Sequence, residues 1–156
     1  MLTSKEIKKS IVNLGYKASE ISVRQQNGGY SEAFYITLKS PYIDINKVNR
    51  VVAKYQCYEI EERTGEILAG GNTFIFVRYE DNIFNEVIQK YLTNANELIS
   101  KFNETTSVVR LNDNFITIKG DNCLLIQNTK ECETKKIYSI EDLAKCIFKI
   151  KEFGTF

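Results

Sequence analysis

The chain has 156 residues, 43% of them hydrophobic, a length that fits one domain or two very small ones with buried cores. It has no run of about 18 apolar residues, and its N-terminus has mixed charges and no apolar segment before a cleavage site. We therefore expect neither a membrane span nor a signal peptide, and a cytoplasmic location in a bacterial host cell. The lack of histidine excludes Ser-His and Cys-His nucleophile pairs and every histidine zinc site.

The net charge of +1 is spread almost evenly along the chain, with +2 in the first 80 residues and −1 in the rest. A nucleic-acid-binding protein usually has a clear basic excess, so only a local patch formed on folding would allow that function. The four cysteines, Cys57, Cys123, Cys132 and Cys146, form no C-x-x-C pair. We expect them to be free thiols, and we expect no disulfide, metal or cofactor.

Helices and strands alternate in the first half. Thr3 and Glu6 fit a capping box that opens a helix over residues 3–14. Strands over 20–26 and 31–39 follow, joined by the turn Asn27-Gly28-Gly29. Asp44 is the predicted cap of a second helix over 44–56. Tyr58 and Ile60 then mark the inward face of a strand. A loop over 64–73 leads to a strand over 74–79 that is apolar on both faces, which predicts a central position.

The second half begins with a long amphipathic helix over 82–104. Short strands over 108–111, 115–119 and 123–127 are separated by Asn-Asp-rich turns. A polar loop over 128–136 precedes a last helix over 139–152. The order αββαββ and then αβββα predicts an α+β protein with antiparallel sheets, made of modules 1–80 and 81–156.

The densest acidic cluster lies in and beside the predicted loop over 64–73 and contains Glu59, Glu61, Glu62 and Glu66. Carboxylates on an exposed hairpin can form charge-assisted, often bidentate bonds to the arginines of a partner. The alternative interpretation is a solvated hairpin whose charges discourage aggregation. With the loop residues Thr64, Gly65 and Asn72, these glutamates are the predicted protein-contact set.

A second candidate set mixes basic and aromatic side chains on the first strands: Arg24, Tyr35, Lys39 and Arg78. Sheets that bind single-stranded nucleic acid stack bases on aromatic rings and hold phosphates with Lys or Arg. The alternative interpretation is ordinary packing, because aromatic residues are common in strands.

The first half resembles the large polyvalent protein-associated domains of phages and other mobile elements. The resemblance rests on Ile21-Ser22-Val23-Arg24, the turn at 27–29, the strand over 34–38, and the segment Thr64-Gly65-Glu66-Ile67-Leu68-Ala69-Gly70-Gly71-Asn72-Thr73 with the strand over 74–79. It implies a mobile-element origin.

A stand-alone copy with its own second module is similar to anti-CRISPR and other anti-defence proteins. The resemblance therefore implies a non-enzymatic inhibitor that binds a bacterial defence nuclease, such as Cas9, or its guide-RNA complex, without strong affinity for free nucleic acid. A nucleic-acid-binding accessory module is the alternative.

Overall fold

The structure, a computed structural model, describes residues 2–29, 31–68 and 71–156. It divides the chain into two compact units, the first ending at Ile83 and the second beginning at Phe84. The sequence predicted this boundary between residues 80 and 81. Each unit combines helices with one sheet, and the predicted α+β class is confirmed.

The first unit contains two helices and a three-stranded sheet. Its elements are α1 (Ser4–Val12), β1 (Ile21–Gly28), β2 (Ser31–Leu38), α2 (Ile45–Val52) and β3 (Thr73–Tyr79). The sheet order is β1-β2-β3, in which β1 and β2 pair as an antiparallel hairpin while β2 and β3 run parallel. A parallel pair needs a crossover connection, and α2 lies in the connection between β2 and β3.

Both helices of this unit have capped starts. The Glu6 backbone N–H donates to Thr3 Oγ1 over 3.3 Å, and the Thr3 N–H donates to Glu6 Oε2 over 2.8 Å, which completes the predicted capping box. Asp44 Oδ1 accepts the backbone N–H of Asn46 over 2.9 Å at the start of α2. The helices and one sheet face share a core of nine buried residues: Ile7, Ile11, Ile21, Phe34, Ile36, Leu38, Ile43, Val48 and Val52.

Tyr79 ties the end of β3 to the segment that precedes α2. Its hydroxyl donates to the Ile43 carbonyl over 2.6 Å and accepts the Ile45 N–H over 3.3 Å. Burial raises the pKa of Tyr79 to about 12, because the charged phenolate is poorly solvated there. The position of β3 is therefore fixed by hydrogen bonds as well as by apolar packing.

We expect the free energy of unfolding to fall as the pH rises from about 10 to about 12. Tyr79 keeps its proton in the folded protein up to about pH 12, whereas an unfolded tyrosine loses it near pH 10. The stabilisation is complete below pH 10 and is lost through that window. In urea titrations at pH 9, 10 and 11, the free energy of unfolding of Tyr79→Phe should therefore fall less with rising pH than that of the parent. An unchanged pH dependence would contradict this assignment.

The second unit is an antiparallel four-stranded sheet covered on one face by two helices. Its elements are α3 (Asn85–Ser100), β4 (Val108–Arg110), β5 (Phe115–Lys119), β6 (Leu124–Asn128), β7 (Thr134–Ile137) and α4 (Ile140–Phe153). The strands follow one another in chain order across the sheet. Ser139 caps α4 by accepting the Asp142 N–H over 3.1 Å, and Gly154 ends it at φ +69°. Phe115, Ile126, Leu143 and Cys146 are among its buried core residues.

The sequence predicted antiparallel sheets, and the parallel pair of β2 and β3 is an exception. Three further details differ from the sequence prediction. The predicted strand at Tyr58 and Ile60 is reduced to two isolated bridges, from Cys57 to Thr73 and from Ile60 to Ile67. The prediction that the strand over 74–79 is central was wrong, because the α2 crossover places β3 at the sheet edge beside β2. The predicted loop over 128–136 contains the start of β7, whose lysines resemble loop residues but are common on edge strands. Ala69 and Gly70 of the glycine-rich loop lie outside the described residues.

Candidate functional site: the open face of the first sheet and its acidic hairpin

The sheet of the first unit has one face covered by its helices and one open face. On β2, Phe34, Ile36 and Leu38 are buried, so the alternate residues Tyr35 and Thr37 lie on the opposite face. The strand register places Arg24, Tyr35 and Phe76 side by side in one row of that face. The neighbouring rows contain Ser22, Thr37 and Arg78, and Gln26, Ala33 and Phe74.

A continuous stack of aromatic rings runs across the open face. Tyr35 and Phe76 have ring centroids 5.3 Å apart, and Phe76 and Phe74 lie 6.4 Å apart. Tyr58, from the segment that precedes β3, continues the stack at 6.1 Å from Phe74. Phe76 is nevertheless 50% exposed, so the stacked rings form part of an exposed apolar patch. Exposed, mutually stacked aromatic rings are the residue types that interfaces use as anchors.

A small acidic hairpin joins this face at Tyr58. We define the acidic hairpin as residues 57–68. The Glu61 N–H donates to the Glu66 carbonyl and the Gly65 N–H donates to the Glu61 carbonyl, both over 2.8 Å. Thr64 Oγ1 donates to Glu61 Oε2 over 2.6 Å, which orients that carboxylate. Gly65 has φ +73°, a left-handed conformation that glycine adopts at little cost.

Every residue of the acidic hairpin is exposed. It contains four glutamates and Arg63, so its net charge is −3, whereas the rest of the described first unit carries +4. It also carries exposed apolar side chains, among which the bridged pair Ile60 and Ile67 are about half exposed. Carboxylates and apolar groups therefore occur together on a segment that contributes no buried side chain to the core.

The structure gathers the predicted protein-contact residues, with one correction. Glu59, Glu61, Glu62 and Glu66 lie within the acidic hairpin together with Thr64 and Gly65. Asn72 is only 5% exposed, so it is not available for contact with a partner. Its side-chain amide donates to the Leu68 carbonyl over 2.8 Å and its own carbonyl accepts the Glu32 N–H. Asn72 thus links the hairpin to the sheet.

Only part of the predicted nucleic-acid-binding set lies together in the structure. Arg24, Tyr35 and Arg78 share the open face. Lys39 follows the end of β2 and lines a separate pocket of about 360 Å³, together with Lys5 and Lys8 of α1. The set therefore divides between an aromatic face with two arginines and a lysine-lined pocket at its margin.

Sequence reasoning missed the aromatic residues that dominate the face, namely Phe74, Phe76 and Tyr58. Phe74 and Phe76 were expected to pack in a sheet interior, because apolar residues on both faces of a strand predict burial on both. Tyr58 was expected on the inward face of a strand. The sequence signal for the open face is confined to β2, where the polar residues Tyr35 and Thr37 alternate with the buried ones. That Phe74 and Phe76 lie on the same face follows only from the strand register of the folded unit.

The second unit holds a mostly apolar pocket of about 290 Å³ and a buried thiol. The pocket lies between α3, the β5–β6 turn and the start of α4, with Ile99, Cys123 and Leu143 in its lining. Burial raises the pKa of the Cys146 thiol, although the nearby Lys135 acts in the opposite direction. A protonated, buried thiol is a core residue rather than a nucleophile.

Within residues 2–29, 31–68 and 71–156, no three His, Cys, Asp or Glu side chains are grouped as metal ligands would be. No helix of that described part is long and apolar enough to cross a membrane. Comparisons with protein-family models, with curated proteins and with solved structures gave no match to this chain. The open face and the acidic hairpin therefore support a functional proposal on their geometry and on the sequence resemblance alone.

Proposed function

We propose that this chain is a non-enzymatic accessory protein of a phage or another mobile element that inhibits a bacterial defence nuclease by binding to it. The observation that carries the proposal is the fully exposed acidic hairpin, which joins a face of stacked aromatic rings. Specific interfaces combine an aromatic or apolar centre with a polar rim. The open face supplies such a centre around Phe76, and the hairpin supplies a charged rim.

Charge supports a nuclease as the partner. Nucleases guided by RNA hold their heteroduplex in a positively charged channel. A hairpin with a net charge of −3 complements such a channel, and its four carboxylates can accept bidentate bonds from arginines there. Inhibition then follows from occupancy, because the hairpin takes the place of nucleic-acid phosphates. The choice of a defence nuclease, Cas9 included, rests on the resemblance to mobile-element domains.

The test is capture on the immobilised chain from a lysate of bacteria that express Cas9 and a guide RNA. Half of the lysate is first treated with a nonspecific nuclease, and bound Cas9 is then quantified. Purified Cas9 is also assayed for cleavage of a target plasmid with increasing amounts of the chain. We expect capture from both lysates and loss of cleavage. Capture that disappears after nuclease treatment, or capture without loss of cleavage, would contradict the proposal.

A second candidate function, binding of single-stranded nucleic acid, is favoured by the row of Arg24, Tyr35 and Phe76. Bases stack on exposed aromatic rings, and arginines beside them hold the backbone. The acidic hairpin argues against this function. Tyr58 of the hairpin stacks on Phe74, so the glutamates lie next to the aromatic rings and would repel the phosphates of a bound strand. We therefore rank it below protein binding.

Free nucleic acid is expected to bind weakly. Affinity for nucleic acid comes largely from counterion release at several phosphate contacts, and a chain of net charge +1 offers few. Labelled duplex and single-stranded oligonucleotides should not shift at micromolar protein and physiological salt. Tight binding with a steep salt dependence would reverse the ranking. In that case Arg24→Ala and Arg78→Ala should each weaken binding, whereas Lys119→Ala in the second unit should not.

A further inference from the structure

Strand β3 has the composition of an interior strand but lies at a sheet edge. Its residues Phe74 to Val77 are all apolar, so both of its faces carry apolar side chains. It has no proline, and its only charged residue is Arg78. The opposite edge strand, β1, has polar residues from Arg24 to Asn27, as edge strands usually do. A long apolar edge without protective charges invites pairing with another strand.

The hydrogen-bonding groups of this edge face outward. The Asn72 carbonyl accepts the Glu32 N–H over 2.9 Å, and the Glu80 N–H donates to the Leu38 carbonyl over 2.8 Å, so the even-numbered residues of this segment bond to β2. Peptide groups alternate in direction along a strand, and Thr73 accordingly pairs with Cys57 on the other side. The peptide groups of Ile75 and Val77 therefore point away from β2, toward the free edge.

We propose that this edge pairs with the same edge of a second copy of the chain. The two β3 strands run antiparallel about a twofold axis at Val77, which joins two three-stranded sheets into one of six strands. In this register Val77 of each copy exchanges both of its peptide hydrogen bonds with Val77 of the other copy, and Ile75 of each copy bonds to Tyr79 of the other. The covered faces of the two sheets form one continuous face in the dimer, because Ile75, Val77 and Tyr79 of both copies lie on the same side of the joined sheet.

The sequence of β3 is complementary to itself in this register. With Val77 opposite Val77, Phe76 of each copy lies opposite Arg78 of the other copy. The twofold axis therefore produces two such pairs, both on the open face. An arginine beside an exposed aromatic ring is a favourable cation–π arrangement.

The dimer does not depend on the proposed nuclease partner, because its evidence is the edge position of β3. Molar mass by light scattering is its direct test. At about 100 µM protein, where mass action favours association, we expect about 36 kDa, twice the 18.0 kDa of the chain. Reductant must be present because Cys57 and Cys132 are exposed thiols. A mass of one chain at that concentration would overturn the proposal.

Two proline variants separate edge pairing from nonspecific association. Val77→Pro removes an N–H from the free edge while leaving the bonds to β2 intact. Val23→Pro is the matched control, because Val23 and Val77 flank Ile36 in the same row, are both partly buried, and lie on opposite edges. We expect Val77→Pro to be monomeric and Val23→Pro to remain dimeric. Equal behaviour of the two folded variants would overturn the proposal.

Hydrogen exchange of the unaltered chain provides a measurement that does not depend on folding of the proline variants. The amides of Ile75 and Val77 should exchange slowly at about 100 µM protein and more rapidly after hundredfold dilution, because dilution dissociates a dimer. The amide of Val23, on the opposite edge, should exchange at the same rate in both samples. Exchange of Ile75 and Val77 that is independent of concentration would exclude pairing through β3.

Discussion

Changing Glu59, Glu61, Glu62 and Glu66 together to lysine should abolish binding to the nuclease partner without unfolding the protein. All four side chains are exposed, so no core packing is lost. The lysines that replace these carboxylates would repel the arginines of a basic channel with which the carboxylates pair. Loss of a desolvated charge pair costs about 2–5 kcal/mol, so an affinity loss of at least about 100-fold is expected.

A matched variant distinguishes this local effect from a change in net charge. Four exposed glutamates of the second unit can be changed to lysine in the same way: Glu97, Glu104, Glu133 and Glu152. Both variants gain the same charge, so a nonspecific electrostatic effect would weaken them equally. We expect the second-unit variant to bind within about threefold of the parent, since exposed charges that do not take part in a contact contribute little. Binding by isothermal titration calorimetry should show this contrast, and equal affinities of the two variants would move the contact surface away from the hairpin.

The largest expected effect on stability comes from Phe34. Its side chain is 0% exposed on the covered face, whereas Phe76 lies across the same sheet and is 50% exposed. Phe34→Ala leaves a cavity in the core of the first unit and should lower the free energy of unfolding by about 3–5 kcal/mol. Phe76→Ala removes the stacking with Tyr35 and Phe74 from a half-exposed ring and should cost about 1–2 kcal/mol.

Urea unfolding of both alanine variants at low micromolar protein measures this difference directly. The first unit has its own core, so Phe34→Ala should shift the transition of that unit and leave that of the second unit in place. If Phe76→Ala proved as destabilising as Phe34→Ala, the open face would be part of the core and would not be a binding surface.

Local signals in the sequence predicted the helices well because their causes are local. Thr3 and Glu6 form the predicted capping box, and Asp44 and Ser139 accept the backbone N–H groups that open α2 and α4. Each of these features is decided within a few residues, where side-chain chemistry is sufficient. The predicted turn at Asn27 and Gly28 was placed too early, because both residues still pair with β2 as the end of β1.

The position of β3 could not be predicted in this way. Phe74 to Val77 are apolar on both faces, which ordinarily means a central strand. Whether a strand is central or at an edge depends on which other strands the chain supplies. Here the segment around Tyr58 and Ile60 provides only two bridges instead of a neighbouring strand. Within the described residues, the α2 crossover then leaves β3 with β2 as its one neighbouring strand and with a single bridge to Cys57.

The acidic side chains of the candidate site were visible in the sequence, but its apolar part was not. Four glutamates within eight residues mark an exposed segment from composition alone. The exposure of Phe76 follows from strand register and from helices that cover one face only, and both are properties of the folded unit. Asn72 was misassigned for the same reason, because its burial depends on contacts with Leu68 and Glu32.

The central claim is that the acidic hairpin and the open face of the first unit contact the partner protein. Hydrogen exchange of the chain, alone and in complex with the captured nuclease, tests it most directly. We predict slower exchange over residues 57–68 and 73–79 in the complex, with little change over 108–137 in the second unit. Slower exchange confined to residues 108–137 would contradict the account.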